Sequence, residues 1–341
     1  MKVSKTGSII CILITLIFCM ADIHALGETA VVPEENIKME NCVINDQYSE
    51  LNTYEAVYKD FCQAYTSEMF NSGEVVSVNR EDVDETETMT TYTYTDGCQL
   101  CIADSMMLFY YNRNGDYYSQ ILTYLNSSKD DCDASDLPGF SLNEAIEAGG
   151  RFLSNLAISD LILDKTLTFS KETLIRLTND MKKAYGEAGA KYFPSITDET
   201  EAYYLAYRQT LDGIRSAGTP QVRMIITRNG IAYLEMSRII DHVAEKHAVN
   251  EETPWQDAVR LFEERNAKAY TLPESISAQY EIEEISIAYF SEMNPEQPLC
   301  AVVFPCWYIK GYETLSHGEK SRTKQVTDLY RIPDGVWFYP W

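Results

Sequence analysis

The chain has 341 residues, 45% of them apolar, and a formal charge of −24. That apolar share supports a packed core and excludes global disorder, and the length leaves room for two domains. The acidic balance argues strongly against nucleic-acid or anionic-membrane binding, which needs clustered Lys and Arg; it suits a cationic partner, divalent cations or plain solubility.

Residues 1–25 read as an export signal. Lys2 and Lys5 precede the apolar run Ile9 to Ala21, which is short for a membrane span, and Ala25 offers a small residue at a cleavage point. Cys19 stands where a bacterial lipobox would carry its lipid, but Phe18 fills a position that signal reserves for a small residue. The expectation is therefore a secreted or extracytoplasmic protein, with no stable membrane span once the signal is removed. The mature chain would start near Leu26.

Residues 26–87 form a leader followed by a predicted helix. Tyr48, Leu51, Tyr54, Tyr58, Phe61, Tyr65 and Met69 recur at three- and four-residue steps, as an amphipathic helix requires. Gly73 ends it. Glu81 to Glu87 is acidic and reads as a solvated loop, without the glycine and alternating ligands of a calcium-binding loop.

Removing the signal leaves Cys42, Cys62, Cys98, Cys101, Cys132, Cys300 and Cys306. An odd number cannot all pair within one chain. Cys98 and Cys101 have redox-motif spacing but lead into a strand rather than a helix, so structural thiols or a disulfide, redox chemistry and metal binding all stay open.

Two α+β units are expected, 88–192 and 195–341, separated at Phe193-Pro194-Ser195. Each is read as an antiparallel sheet with a helix packed on one face. The argument is an echo. Asp96-Gly97 and Asp212-Gly213 each end a tyrosine-rich strand, and Asn114-Gly115 and Asn229-Gly230 each suit a two-residue hairpin turn. Helix starts follow at Ser141-x-x-Glu144 and at Thr253-x-x-Gln256, which has Pro254 at the first helical position. Strands Leu161–Phe169 and Tyr280–Phe290 come next. Ser170 opens a further helix with Leu174, Leu177 and Met181 inward, ending near Gly186. In the second unit Glu283-Glu284 breaks the strand's alternation, and Leu299 to Ile309 is apolar enough to be buried on both faces. Pro305 there argues for an edge or a bulge.

No catalytic constellation is present. The chain lacks Gly-x-Ser-x-Gly, Gly-x-Gly-x-x-Gly, a Walker-type loop and His-Glu-x-x-His. His242, His247 and His317 lie in polar surroundings, and no catalytic, cofactor-binding or metal-binding residue is assigned.

One resemblance bears on function. The strand with Ile285, Ile287, Tyr289 and Phe290, the strand with Pro305, Trp307 and Ile309, and the Asn229-Gly230 turn together resemble PepSY-like extracytoplasmic domains. In particular the pattern is similar to the YycI/YycH-type regulators of Gram-positive histidine kinases. It covers about 110 residues of the second unit, and the family has no catalytic residues to carry over. The resemblance implies an exported, non-catalytic binding or regulatory protein of the cell envelope. It would hold a protein or peptide on a sheet or in a groove between the units, with Tyr289, Trp307 and Tyr308 as candidate binding residues and no cofactor. The alternative is an envelope hydrolase with acidic and tyrosine residues in a cleft. Export is checked by mass spectrometry of the mature protein. An N-terminus near Leu26 is expected, a diacylglyceryl group on Cys19 would make it a lipoprotein, and a cytoplasmic chain starting at Met1 contradicts the reading.

Overall fold

A computed structural model describes residues 37–48, 50–61, 70, 73–82, 88–103, 106–127, 135–186, 193–249, 253–269, 276–318, 320–332 and 334–338. The signal segment therefore lies outside the described residues, as do Cys62, Cys132 and residues 339–341. Short strands β1 (Ile37–Lys38) and β2 (Val43–Asn45) precede β3 (Asn52–Tyr58). β3 falls inside the predicted helix. A four-residue step fits both periods, so Tyr54 and Tyr58 share a face in a strand as well as in a helix. The residues between them decide the matter, because Asn52, Tyr54, Ala56 and Tyr58 are buried while Thr53, Glu55 and Val57 are less so. The rest of that predicted helix, 62–69, lies outside the described residues.

Four strands follow: β4 (Val75–Asp82), β5 (Thr88–Tyr94), β6 (Gln99–Ala103) and β7 (Met107–Tyr111). The Asp96-Gly97 turn joins β5 to β6, with Gly97 at φ +84°. Asn114-Gly115, however, is not a hairpin turn. Helix α1 (Gly115–Ser127) begins there. Asn112 Oδ1 accepts from the Asn114 amide, and Tyr118 N–H donates to the Asn114 carbonyl, which closes the first helical turn. Gly115 is needed for room rather than for positive φ: a Cβ there would sit 2.6 Å from Tyr111 Cβ and 3.1 Å from the Ala232 carbonyl.

Helix α2 (Leu142–Asn155) starts as expected. Ser141 Oγ accepts from the Glu144 amide, and Glu144 Oε2 accepts from the Ser141 amide. Strand β8 (Leu161–Phe169) and helix α3 (Lys171–Tyr185) also stand where the sequence puts them, with Ser170 as N-cap and Leu174, Leu177 and Met181 buried. Next come β9 (Ala202–Leu211), β10 (Ile214–Arg215), β11 (Val222–Thr227), β12 (Gly230–Ser237) and β13 (Ile240–Ala248). Asp212 (φ 49°) and Gly213 (φ 79°) both take left-handed backbone in the β9–β10 turn, and Asn229-Gly230 links β11 to β12. The chain ends with α4 (Trp255–Ala269), β14 (Ile276–Asn294), β15 (Gln297–His317), β16 (Lys320–Arg331) and β17 (Trp337–Phe338).

The fold is α+β, with two largely antiparallel sheets. One runs β10-β9-β11-β12-β7-β6-β5-β4, with β8 paired to β9; the other runs β1-β14-β15-β16-β17, with β3 joined to β15 and β13 to β3. The proposed duplication does not survive this topology. The two segments do not form separate sheets, since β7 pairs with β12 and β8 with β9. Nor is there one helix per sheet. The nine-stranded sheet carries α2 on one face, packed on Tyr207, Met224 and Ile226, while residues of α1 and α3 pack on Tyr204, Ile225 and Tyr233 of the other. The echo was one of turn chemistry, and turn dipeptides fix local direction without fixing which strands pair. A groove between two such sheets falls with it.

The chain divides into two compact units, one of 46–253, 286–308 and 329–341, the other of 254–285 and 309–328 with the segment up to 45. In the first, β15 is buried on both faces from Val303 to Tyr308. Pro305 stands where its pairing with β3, which ends at Val303, has stopped, and its carbonyl accepts from Ile332 N–H. Amide and carbonyl of one residue point to the same side of an antiparallel ladder, so the amide Pro305 lacks faces the chain just past the end of β16. In the second, Phe262 of α4 meets Tyr280 of β14 edge to face, and Tyr280 Oη donates to the buried Glu313, which Lys324 also pairs. Along β14 the buried positions are even-numbered up to Ile282, and the alternation breaks at Glu283-Glu284 as expected. Trp307 is 2% exposed and its indole N–H donates to the Thr253 carbonyl at 2.6 Å. Trp307→Ala is therefore expected to destabilise the protein by about 3–5 kcal/mol. Chemical denaturation measures this, and a midpoint shift smaller than that of an ordinary surface substitution contradicts the packing role.

Candidate functional site

The first place to look for chemistry is a cleft in the first unit, lined by Gln209, Ser216, Gln221, Arg238, Ile240 and Tyr289 among others. Its volume is about 50 Å³. That holds a few waters and is far below the several hundred Å³ of a substrate pocket. Its polar groups are also committed. Gln209 Oε1 accepts from the Ile240 amide and its Nε2 donates to the Ile240 carbonyl, both at 2.8 Å. Gln221 Oε1 accepts from the Gln209 amide and from Ser216 Oγ. Arg208 donates to the Ser216 and Gly218 carbonyls and pairs with Asp164. Gln209, Ser216 and Gln221 in the cleft, and Arg208 beside it, thus each satisfy a turn or a strand end.

Beside the cleft lies the arrangement that most resembles acid–base machinery. Tyr54 Oη donates to Asp212 Oδ2 at 2.6 Å, Lys246 Nζ donates to the same oxygen at 2.8 Å, and Tyr289 Oη lies 3.3 Å from Tyr54 Oη. The strands explain the meeting, because Tyr54 and Lys246 are opposite each other on β3 and β13 and Asp212 sits in the β9–β10 turn. The electrostatics point away from catalysis. Burial first, and then the bond to Asp212, push the Tyr54 phenol far up. The bonds from Lys246 and then Tyr54 hold the Asp212 carboxyl below its ordinary value. General acid–base work needs values drawn toward neutrality, and here the two are driven apart in the other direction. The same holds for the Arg223–Glu235 ion pair on the nine-stranded sheet, where Tyr233 Oη donates to Glu235 at 2.6 Å and burial raises Tyr233 well above the usual phenol range. Burial likewise lifts Tyr204 and Tyr207 to about 12. Tyr54 and Tyr233 thus serve as hydrogen-bond donors to carboxylates.

The three residues singled out from sequence are all in the first unit and all inside it. Tyr289, Trp307 and Tyr308 are 2%, 2% and 7% exposed. Tyr289 borders the cleft, Trp307 is fixed by Thr253, and Tyr308 packs with Ala288, Phe304 and Cys306 under the Arg215 guanidinium. Cys98 and Cys101 do not bridge. Cys98 belongs to the core under α2, whereas Cys101 lies on the opposite face, accepting from Thr91 Oγ1. A three-residue step in extended chain puts side chains on opposite faces, so the redox-like spacing has no meaning here.

What sequence reasoning missed is an edge. β4 closes the nine-stranded sheet on one side and pairs, among the described residues, with β5 alone. All eight of its residues are exposed, including Val75 at 44%, Val76 at 60% and Val78 at 58%. Edge strands are ordinarily blunted by charge, proline or a covering element. Arg80, Glu81 and Asp82 charge the second half of β4, and the valine half is bare. The signal was present as Val-Val-x-Val just after Gly73, hidden because it does not alternate strictly.

No family model matches the chain, and no curated protein matches it. A solved structure of an uncharacterized protein from Eubacterium rectale is similar, with a TM-score of 0.58 at 11% identity over 92% of this chain and 94% of that one. At that identity the likeness concerns the fold alone.

The Tyr54–Asp212–Lys246 cluster makes a pH prediction. A carboxylate whose folded pKa is lowered contributes stability above its unfolded value, near 4, and loses it as pH falls through the folded value. The Asp212 side chain is about half exposed (47%), so screening keeps the effect under about 1 kcal/mol. Asp212→Asn, which tolerates the same left-handed backbone, should lie slightly below the parent protein in stability at pH 6, with the gap closing below about pH 4. A gap that stays constant down to pH 2 would show that the charge is not responsible.

Proposed function

We propose that this protein is an exported, non-catalytic binding or regulatory protein of the bacterial cell envelope, and that it holds a protein or peptide partner by strand addition at the β4 edge. The observation that carries this reading is the bare valine half of β4. An extended partner segment laid along that edge would satisfy its outward amides and carbonyls, and alternate partner side chains would cover the valines. Behind the edge, Met89, Thr91 and Thr93 of β5 are half-buried, on the face where α1 and α3 cover the far strands. A partner could extend over them.

Two further points support it. The cleft is small, and Gln209, Ser216 and Gln221 in it are used internally, which favours a binding protein over a hydrolase. The PepSY-like and YycI/YycH-like pattern around Tyr289, Pro305 and Trp307 suits a regulator that works by contact. The export signal read at residues 1–25 suits the envelope.

The test replaces Val76 and Val78 together by Lys. Both positions are exposed, so the melting temperature should change by no more than a few degrees. Capture of the partner from native envelope extract should be lost, because charge at an edge blocks strand addition. Undiminished capture of the same partner by the doubly substituted protein would refute the β4 assignment.

A further inference from the structure

The outer strand β13 carries a second, separate feature. Every residue after Ile240 in it is exposed, and it pairs with β3 through two register shifts. In that ladder Glu245 is opposite Glu55 and His247 is opposite Thr53. Opposed residues share a sheet face, as do residues two apart, so Glu55, Glu245 and His247 stand together on one outer face. One ligand atom from each lies within 4.8 Å of the others.

Two carboxylates placed directly opposite repel each other. Nothing basic relieves them: among the described residues neither Glu55 nor Glu245 forms an ion pair with Lys or Arg, and the intervening Lys246 turns to Asp212 on the other face. The imidazole does not relieve them by a close bond either. His247 Nε2 and Glu245 Oε2 are 3.4 Å apart, whereas charge-assisted N–H···O bonds run about 2.7–2.9 Å. A separation of 3.4 Å does match the edge of a coordination tetrahedron, since metal bonds of roughly 2.0–2.1 Å put neighbouring ligand atoms about 3.3–3.4 Å apart.

We propose that Glu55, Glu245 and His247 bind one divalent transition-metal ion of the zinc type. The nitrogen ligand selects for that class over magnesium and calcium, which prefer oxygen throughout. The ion neutralises the opposed carboxylates and ties the outer strand to β3. Three protein ligands leave at least one position for water, so the site is open to solvent.

Calorimetric titration of the mature full-length protein with zinc chloride tests this. A saturable step with one ion per chain is expected. His247→Ala, Glu55→Gln and Glu245→Gln should each weaken that step tenfold or more. His242→Ala, which removes another exposed histidine of the same strand, should leave it unchanged. All four positions are on the surface, and circular dichroism confirms that each variant is folded. The proposal is overturned if the parent protein shows no saturable zinc binding below about 1 mM, or if the step persists undiminished in His247→Ala and Glu55→Gln, as binding by cysteine thiols would.

Discussion

The ladder between β7 and β12 holds the nine-stranded sheet in one piece. Met107 to Tyr111 pair antiparallel with Tyr233 to Ser237, joining strands far apart in sequence. On one face this brings Leu108 and Tyr110 beside Leu234 and Met236, and with them Leu205, Met224 and Ile226 of the neighbouring strands. Helix α2 covers that combined surface, and it can approach closely because Gly149 faces Met224 and Tyr207: a Cβ there would lie 2.8 Å from Met224 Sδ. On the other face the same ladder sets Tyr111 against Tyr233, edge to face, under α1. Helix α1 therefore rests on strands from both halves, and a single hydrophobic cluster runs across both on the α2 side.

Polar satisfaction follows from that arrangement. A sheet this wide has many turns and strand ends to tie, and the side chains that look like site residues are spent on them. Gln209 and Gln221 fix the chain between β9 and β13, Arg208 fixes the 216–218 turn, and Tyr203 Oη serves the Leu137 amide and the Phe140 carbonyl ahead of α2. The abundant tyrosines act as large apolar bodies with one donor each, which explains their raised pKa values without catalysis. Among the described residues two features stand exposed on the outside of the sheets, the outer side of β4 and a pair of facing carboxylates at β3 and β13.

Much of the local structure was legible because local chemistry determines it. The Ser141 capping box, the Ser170 cap, the positive-φ turns at Asp212-Gly213 and Gly230, and the doubly apolar strand around Trp307 all depend on residues within a few positions of each other. Long-range pairing was not legible in the same way. Asn114-Gly115 carries the dipeptide of a hairpin, yet it opens a helix, and its glycine answers to the lack of room beside Tyr111 and the Ala232 carbonyl, the latter brought close by β12. Tyr54 and Tyr58 fit two periods, and the decision came from β13 and β15 on either side of β3. β13 itself, Ile240 to Ala248, is polar, with Asp241, Glu245 and Lys246 among its nine residues, and lacks a regular apolar alternation. The edge at β4 and the opposed Glu55 and Glu245 are properties of strand order and register, which no single stretch of sequence encodes.

The central claim is that β4 is an open edge awaiting a strand. Hydrogen exchange measured residue by residue, on the protein alone and with its envelope partner bound, addresses it directly. Alone, the outward amides of β4 should exchange as freely as those of loops, while the β7 and β12 amides open only with global unfolding. With partner bound, these outward amides should become protected, because strand addition gives each an acceptor. If the outward amides of β4 are already protected in the isolated protein, or stay unprotected while a different surface becomes protected, the account is wrong.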